Sequence, residues 1–155
     1  VYAHGKDAAI LIGHRSPPSI TVELSAAGAM LSLERRWPVR AGAIQPLTTG
    51  DTIAGLEVLA LPGHTPGSIA LYPPESATLF CGDASLTALP PWAQKTRLCL
   101  PYPLYCDDMQ AAVQSLRVLV AADIPLRRLC SGHGPVCYGA IRRTIHALLD
   151  EWDCT

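Results

Sequence analysis

Through the middle of the chain, short apolar runs alternate with Gly, Pro, Asp and Ser, and towards the C-terminus the apolar spacing changes to a helical one. Ile44 to Leu47, Leu56 to Leu61, Ser68 to Tyr72 and Ala77 to Cys81 are rich in apolar residues and bounded by turn formers, which predicts four strands. Met109, Val113, Leu116 and Val120 fall at i, i+4, i+7 and i+11, the stripe of an amphipathic helix. Asp107 with Gln110 three residues later reads as an acidic capping box at its start, and Asp123 to Pro125 as its stop. A strand is expected at Arg128 to Cys130. After a Gly-rich turn, a last helix would place Ile141, Ile145, Leu148 and Trp152 on one face, with Arg142, Arg143 and Asp150 elsewhere. At the other end, Val1 to Ala3 reads as the end of a strand and Lys6 to Ile12 as a short helix stopped by Gly13. From His14 to Val39 the pattern weakens around Pro17-Pro18; Ile20 to Leu24 allows a strand, and the stretch reads as a variable insertion. Strands with later helices packed on them imply an α/β (α+β) fold.

Composition narrows the picture. The 155 residues are one domain's worth, and a hydrophobic share of 49% against 16% charged excludes a disordered chain. With Lys+Arg at 12 and Asp+Glu at 13, nothing draws the domain to nucleic acid or to an anionic membrane surface. No apolar run is long enough to span a membrane and no signal-peptide layout is present, so the expected compartment is the cytoplasm. The six cysteines form no C-x-x-C pair, which excludes a zinc ribbon, and they read as buried thiols.

Three turns carry metal-competent side chains just beyond a predicted strand, where loops present functional groups on a rigid scaffold. His64 lies in Pro62-Gly63-His64-Thr65-Pro66-Gly67-Ser68, Asp83 in Cys81-Gly82-Asp83, and His133 in Ser131-Gly132-His133-Gly134. Singly, a histidine in a turn is ordinarily a hydrogen-bonded residue and a Gly-Asp pair a simple turn. The repetition of one arrangement three times in a chain with five histidines points instead to metal binding. A carboxylate can offer an oxygen to each of two ions, which a neutral imidazole cannot. Two imidazoles and one carboxylate are nevertheless too few to fill a two-metal site. His4, His14 and His146 read as solvated or capping residues. Ser85 and Ser131 lack a G-x-S-x-G setting for a nucleophile. Arg35-Arg36-Trp37 is left without a role, and Trp92, Tyr102 and Tyr105, in the Pro-rich loop after Asp83, read equally as lining a substrate pocket or as packing that loop on the body.

The same stretches, in this order, with 19 residues from His64 to Asp83 and 50 from Asp83 to His133, resemble the metallo-β-lactamase fold superfamily of hydrolases. Val1 to Ala9 is similar to the strand and helix that follow the family's first metal motif. The resemblance implies an αββα sandwich in which His64 binds a first metal, Asp83 bridges two metals and His133 binds the second. The family's H-x-H-x-D-H motif is absent from these residues, so the sandwich is expected to be incomplete at the N-terminus, with the motif lying before Val1.

The expected function of the complete protein is therefore that of a metal-dependent hydrolase of an ester, thioester or lactone-like bond in a small-molecule substrate. The resemblance is to the hydroxyacylglutathione hydrolase (glyoxalase II) branch. Zn2+ is the expected metal, one ion or two, with Fe or Mn also suited to His/Asp ligands. The alternatives are a phosphodiesterase or ribonuclease of the same superfamily, which the charge balance disfavours, and a catalytically silent binding domain. These 155 residues alone are expected to bind Zn2+ weakly and to be nearly inactive. A homo-oligomer is compatible with the sequence.

Overall fold

The parallel pair β1 (Tyr2–His4) and β2 (Gln45–Leu47) forms a small sheet, and the helix α1 (Gly5–Leu11) starts directly after β1. The structure is a computed structural model and describes residues 1–12, 40–88 and 98–154. The Gly13 stop, the insertion 14–39 with its Arg35-Arg36-Trp37, and Trp92 lie outside the described residues. His4 adopts an extended backbone and its Nδ1 accepts the N–H of Lys6, so this histidine is the N-cap of α1, as expected of a capping residue.

The larger sheet has six strands in chain order: β3 (Thr52–Ile53), β4 (Leu56–Ala60), β5 (Ile69–Tyr72), β6 (Thr78–Gly82), β7 (Arg128–Ser131) and β8 (Cys137–Tyr138). All neighbours are antiparallel except β6 and β7. A parallel pair cannot be joined by a hairpin, and the long crossover between these two contains helix α2 (Met109–Ala121). Helix α3 (Ile141–Asp153) follows β8. Side chains alternate across β6: Leu79 and Cys81 are buried, while Phe80 between them is exposed. The core lies on the Leu79 side, where Ala70, Tyr72, Leu79 and Leu129 meet Val113, Leu116 and Leu119 of α2 and Ile141, Ile145 and Leu149 of α3. Fully burying each aliphatic side chain contributes roughly 1.5–3 kcal/mol before entropy is counted. The fold is α/β, as expected, with two sheets and three α-helices among the described residues.

Several local expectations are corrected. The N-cap of α2 is Asp108, not Asp107: Asp108 is extended and its Oδ1 accepts the Ala111 N–H at 2.9 Å. The Asp107 N–H is already committed to the His64 carbonyl at 3.1 Å, so residue 107 still belongs to the preceding loop. In α3 the buried stripe is Ile141, Ile145 and Leu149, with Leu148 at its margin. Trp152 points to the same side by angle, but it lies close to the helix end, beyond Leu149, and stays exposed. The short strands β3 and β8 were not expected, because two residues are too few to show alternation. Of the six cysteines, Cys81 is buried, Cys154 is exposed and the other four are half-buried, so the expectation of buried thiols holds for Cys81 alone.

The link from α2 to β7 is fastened from outside. Arg142 of α3 donates to the carbonyl oxygens of Val120 and Ile124, and the Tyr72 hydroxyl donates to that of Pro125. The bond to Val120 satisfies a carbonyl that the helix end otherwise leaves open, and the other two satisfy carbonyls of the loop that follows.

Candidate metal centre

The three turns singled out in the sequence come together at one end of the larger sheet. The His64 turn joins β4 to β5, Asp83 follows β6 and His133 follows β7. Strands β6 and β7 are parallel neighbours paired Gly82 to Ser131, so the segments that leave them emerge side by side. Asp83 is the hub: its Oδ2 lies 3.6 Å from His64 Nε2 and 3.6 Å from His133 Nε2. At 3.6 Å neither contact is a hydrogen bond. Two ligands of a tetrahedral ion with 2.0–2.2 Å bonds are separated by roughly 3.3–3.6 Å, so each pair has a spacing suited to ligating atoms.

Two further atoms bear on the fit. His64 Nδ1 and Asp83 Oδ1 are buried and have no hydrogen-bond partner among the described residues. An unpaired buried polar atom costs about 1–3 kcal/mol, and it is ordinarily retained where a ligand or ion uses it. The donor set, two imidazoles and a carboxylate, suits Zn2+, Fe2+ or Mn2+. Among the described residues no three His, Cys, Asp or Glu side chains close into a ready-made cage for a metal ion.

Each donor is supported by its surroundings. Gly132 packs against Asp83, and a Cβ there would run into Asp83 Oδ1, so only glycine lets the carboxylate reach its position. The His133 turn is tied to Thr87, which is buried. The Thr87 hydroxyl lies 2.6 Å from the Pro135 carbonyl, 3.1 Å from that of His133 and 2.9 Å from the Ser131 hydroxyl. Ser131 Oγ in turn donates to the His133 carbonyl at 2.8 Å. The His64 turn is held by Asp7 of α1: Asp7 Oδ2 accepts from Thr65 Oγ1 at 2.5 Å and Oδ1 from the Gly67 N–H at 2.8 Å. On its other side the Gly63 carbonyl accepts the Asp108 N–H at 2.9 Å, which ties the turn to the start of α2.

The remaining candidates fall away. Ser85 is buried and donates to the Cys99 carbonyl, and Ser131 is spent on its own turn, so neither is a free nucleophile. Burial pushes the Cys81 thiol up to about 12, and its Sγ faces the carbonyls of Gly82, Ser85 and Cys130, so it is a neutral packing residue. Tyr102 and Tyr105 stack on one another at 5.7 Å in the loop that leads to α2. Sequence reasoning missed Asp7 and Thr87. An Asp in a helical first turn and a Thr after a strand are too common to signal contacts between 44 and 60 residues away.

Comparisons with known proteins bear on the family and the fold. The family model described as "Metallo-beta-lactamase superfamily" matches residues 3–133. The "Probable metallo-hydrolase YflN" of Bacillus subtilis is 27% identical over 146 residues, 86% of this chain and 54% of that protein. A hydroxyacylglutathione hydrolase of a Synechococcus strain is 51% identical over 41 residues, 24% of this chain and 16% of that enzyme. Among solved structures, TTHA1623 in a di-iron-bound form aligns with a TM-score of 0.56 at 29% identity, over 89% of this chain and 59% of that one. The chain spans about half the length, or less, of the curated relatives it matches.

Proposed function

The chain belongs to the metallo-beta-lactamase superfamily, and from that premise we propose that it contributes His64, Asp83 and His133 to the metal centre of a hydrolase acting on an ester, thioester or lactone-like bond. Family membership supports a metallo-hydrolase; the bond class draws on the likeness to a hydroxyacylglutathione hydrolase over 41 residues. The observation that carries the reading is the convergence of both imidazoles on one oxygen of Asp83, each at 3.6 Å.

In this reading a divalent ion, when bound, supplies hydroxide at neutral pH by lowering the pKa of water towards ~7 and polarises the substrate carbonyl. The chain's own residues hold and orient. Asp83 brings the only negative charge of the three donors and stands between the two imidazoles. His64, one quarter exposed, is the more enclosed of the two, while His133 is more than half exposed. Gly132 and Thr87 keep Asp83 and His133 in register, so that the donors are aimed before any ion binds.

The test is to express the protein from its full reading frame, load it with Zn2+ or Fe2+, and assay a thioester, a lactone and bis(p-nitrophenyl) phosphate. Thioester or lactone turnover that disappears, together with metal content, in Asp83→Asn is the expected result. Full metal and full turnover in that variant would remove the assignment. Hydrolysis of the phosphodiester alone would favour the phosphodiesterase reading, and an inert, metal-free protein a binding domain.

A further inference from the structure

We infer that Asp7 is a positioning residue for the metal centre, acting through the turn that carries His64. The inference rests on the metal reading above and adds a residue that lies outside the three metal-binding turns. The starting point is that, among the described residues, nothing holds the His64 ring from behind. Metal-binding histidines ordinarily donate their second ring nitrogen to a carboxylate or carbonyl, which fixes the ring's orientation. Here Nδ1 is buried and has no hydrogen-bond partner among the described residues. The aim of the imidazole therefore depends on the backbone that bears it.

That backbone is held by Asp7. Both oxygens of one carboxylate are used, one by the Thr65 hydroxyl and one by the Gly67 N–H, across 58 and 60 residues of sequence. A carboxylate only accepts, so the single Thr65 hydroxyl proton goes to Asp7. At the 2.8 Å contact between the hydroxyls of Thr65 and Ser68 the donor is then Ser68. The Ser68 oxygen is thereby left to accept the Thr65 N–H at 2.9 Å. Asp7 thus sets the direction of the one hydrogen bond in this turn that its chemistry leaves open, the contact between the Thr65 and Ser68 hydroxyls. The approach is close enough that a Cβ on Gly67 would collide with the Asp7 carboxyl and backbone nitrogen. Meanwhile α1 buries none of its own side chains, so its contribution here is polar and directed.

The experiment titrates Co2+ into the protein expressed from its full reading frame, following the visible absorption of the bound ion, alongside amide exchange at Gly67. Asp7→Ala is expected to weaken Co2+ binding roughly 10–100-fold, the usual range for losing a group that orients a ligand, and to speed Gly67 exchange. Thr65→Val removes no charge and keeps the side chain's shape. It should weaken binding towards the lower end of that range, which separates orientation from simple loss of a negative charge. Arg142→Ala serves as the comparison for general destabilisation: its melting temperature should drop while its Co2+ affinity stays that of the wild type. His64→Ala should lose the ion. Wild-type affinity in Asp7→Ala, with binding lost in His64→Ala, overturns the role of Asp7 and leaves the metal reading standing. If Asp7→Ala does not fold, wild-type affinity in a folded Thr65→Val overturns it equally. Wild-type affinity in His64→Ala removes the metal reading, and this inference with it.

Discussion

In the turn that carries His64 the fastening group is a carboxylate, Asp7, which accepts two hydrogen bonds with both oxygens. In the turn that carries His133 it is a hydroxyl, Thr87, which faces two carbonyls and another hydroxyl with one proton to give. The carboxylate satisfies donors, and the hydroxyl serves acceptors. An orphaned buried N–H is rarer and costlier in proteins than a carbonyl left with a free lone pair. The His64 turn should therefore be held in one arrangement. The His133 turn can exchange its hydroxyl protons among neighbours and is also the more exposed of the two. One half of the site is rigid by charge-assisted pinning, the other by a small shared network.

The most drastic way to break the comparison is to remove what both halves share. Gly132→Val would drive a side chain into Asp83, and zinc retention through gel filtration should be abolished whatever the state of the two turns. Next in size, Leu116→Ala opens the core beneath the sheet and should cost about 2–5 kcal/mol in denaturant unfolding. Because its apolar side chain takes no part in the hydrogen bonds that hold either turn, its Zn2+ affinity measured well below the melting temperature should remain that of the wild type. Thr87→Val should cost about 1–3 kcal/mol through unsatisfied carbonyls. Its effect on Zn2+ affinity should be smaller than that of Asp7→Ala; an equal or larger loss would show that the hydroxyl network is the stiffer fastening.

The smallest effects are the sharpest. Cys106 adjoins the loop bonded to the His64 turn, and Cys137 lies beyond the His133 turn. Burial raises both thiols above their usual value of 9.0; at Cys106 the backbone of Asp108 offsets part of the rise, while the carboxylates of Asp108 and Asp107 add to it. Each is thus less ionised near pH 8 than an ordinary free thiol, and since the thiolate is the reactive form both should be alkylated more slowly than a small free thiol, catching up as pH rises past 9. Asp7→Ala should speed alkylation of Cys106 and leave Cys137 unchanged, and Thr87→Val should do the reverse. Parallel changes at both cysteines would mean that the two turns open as one unit.

Local pattern and tertiary contact divide the molecule between them. The strands around Leu59, Leu71 and Leu79, the apolar stripe of α2 and the three Gly-rich turns with His64, Asp83 and His133 were legible along the chain. Each depends on side-chain period or on turn chemistry within a few residues. The cap of α2 was misread by one position because the choice between Asp107 and Asp108 is made by the His64 carbonyl, more than 40 residues away in sequence. The pinning of the turns by Asp7 and Thr87, the collision that makes Gly132 necessary, and the burial of Leu149 ahead of Trp152 had no local signature. The chain's own residues determined the α/β class and which side chains are competent to bind a metal, since those follow from residue type and spacing. Only the packed structure decided that the three donors share one oxygen and which distant groups aim them, because hydrogen bonds across dozens of residues exist only once the sheet has brought their partners together.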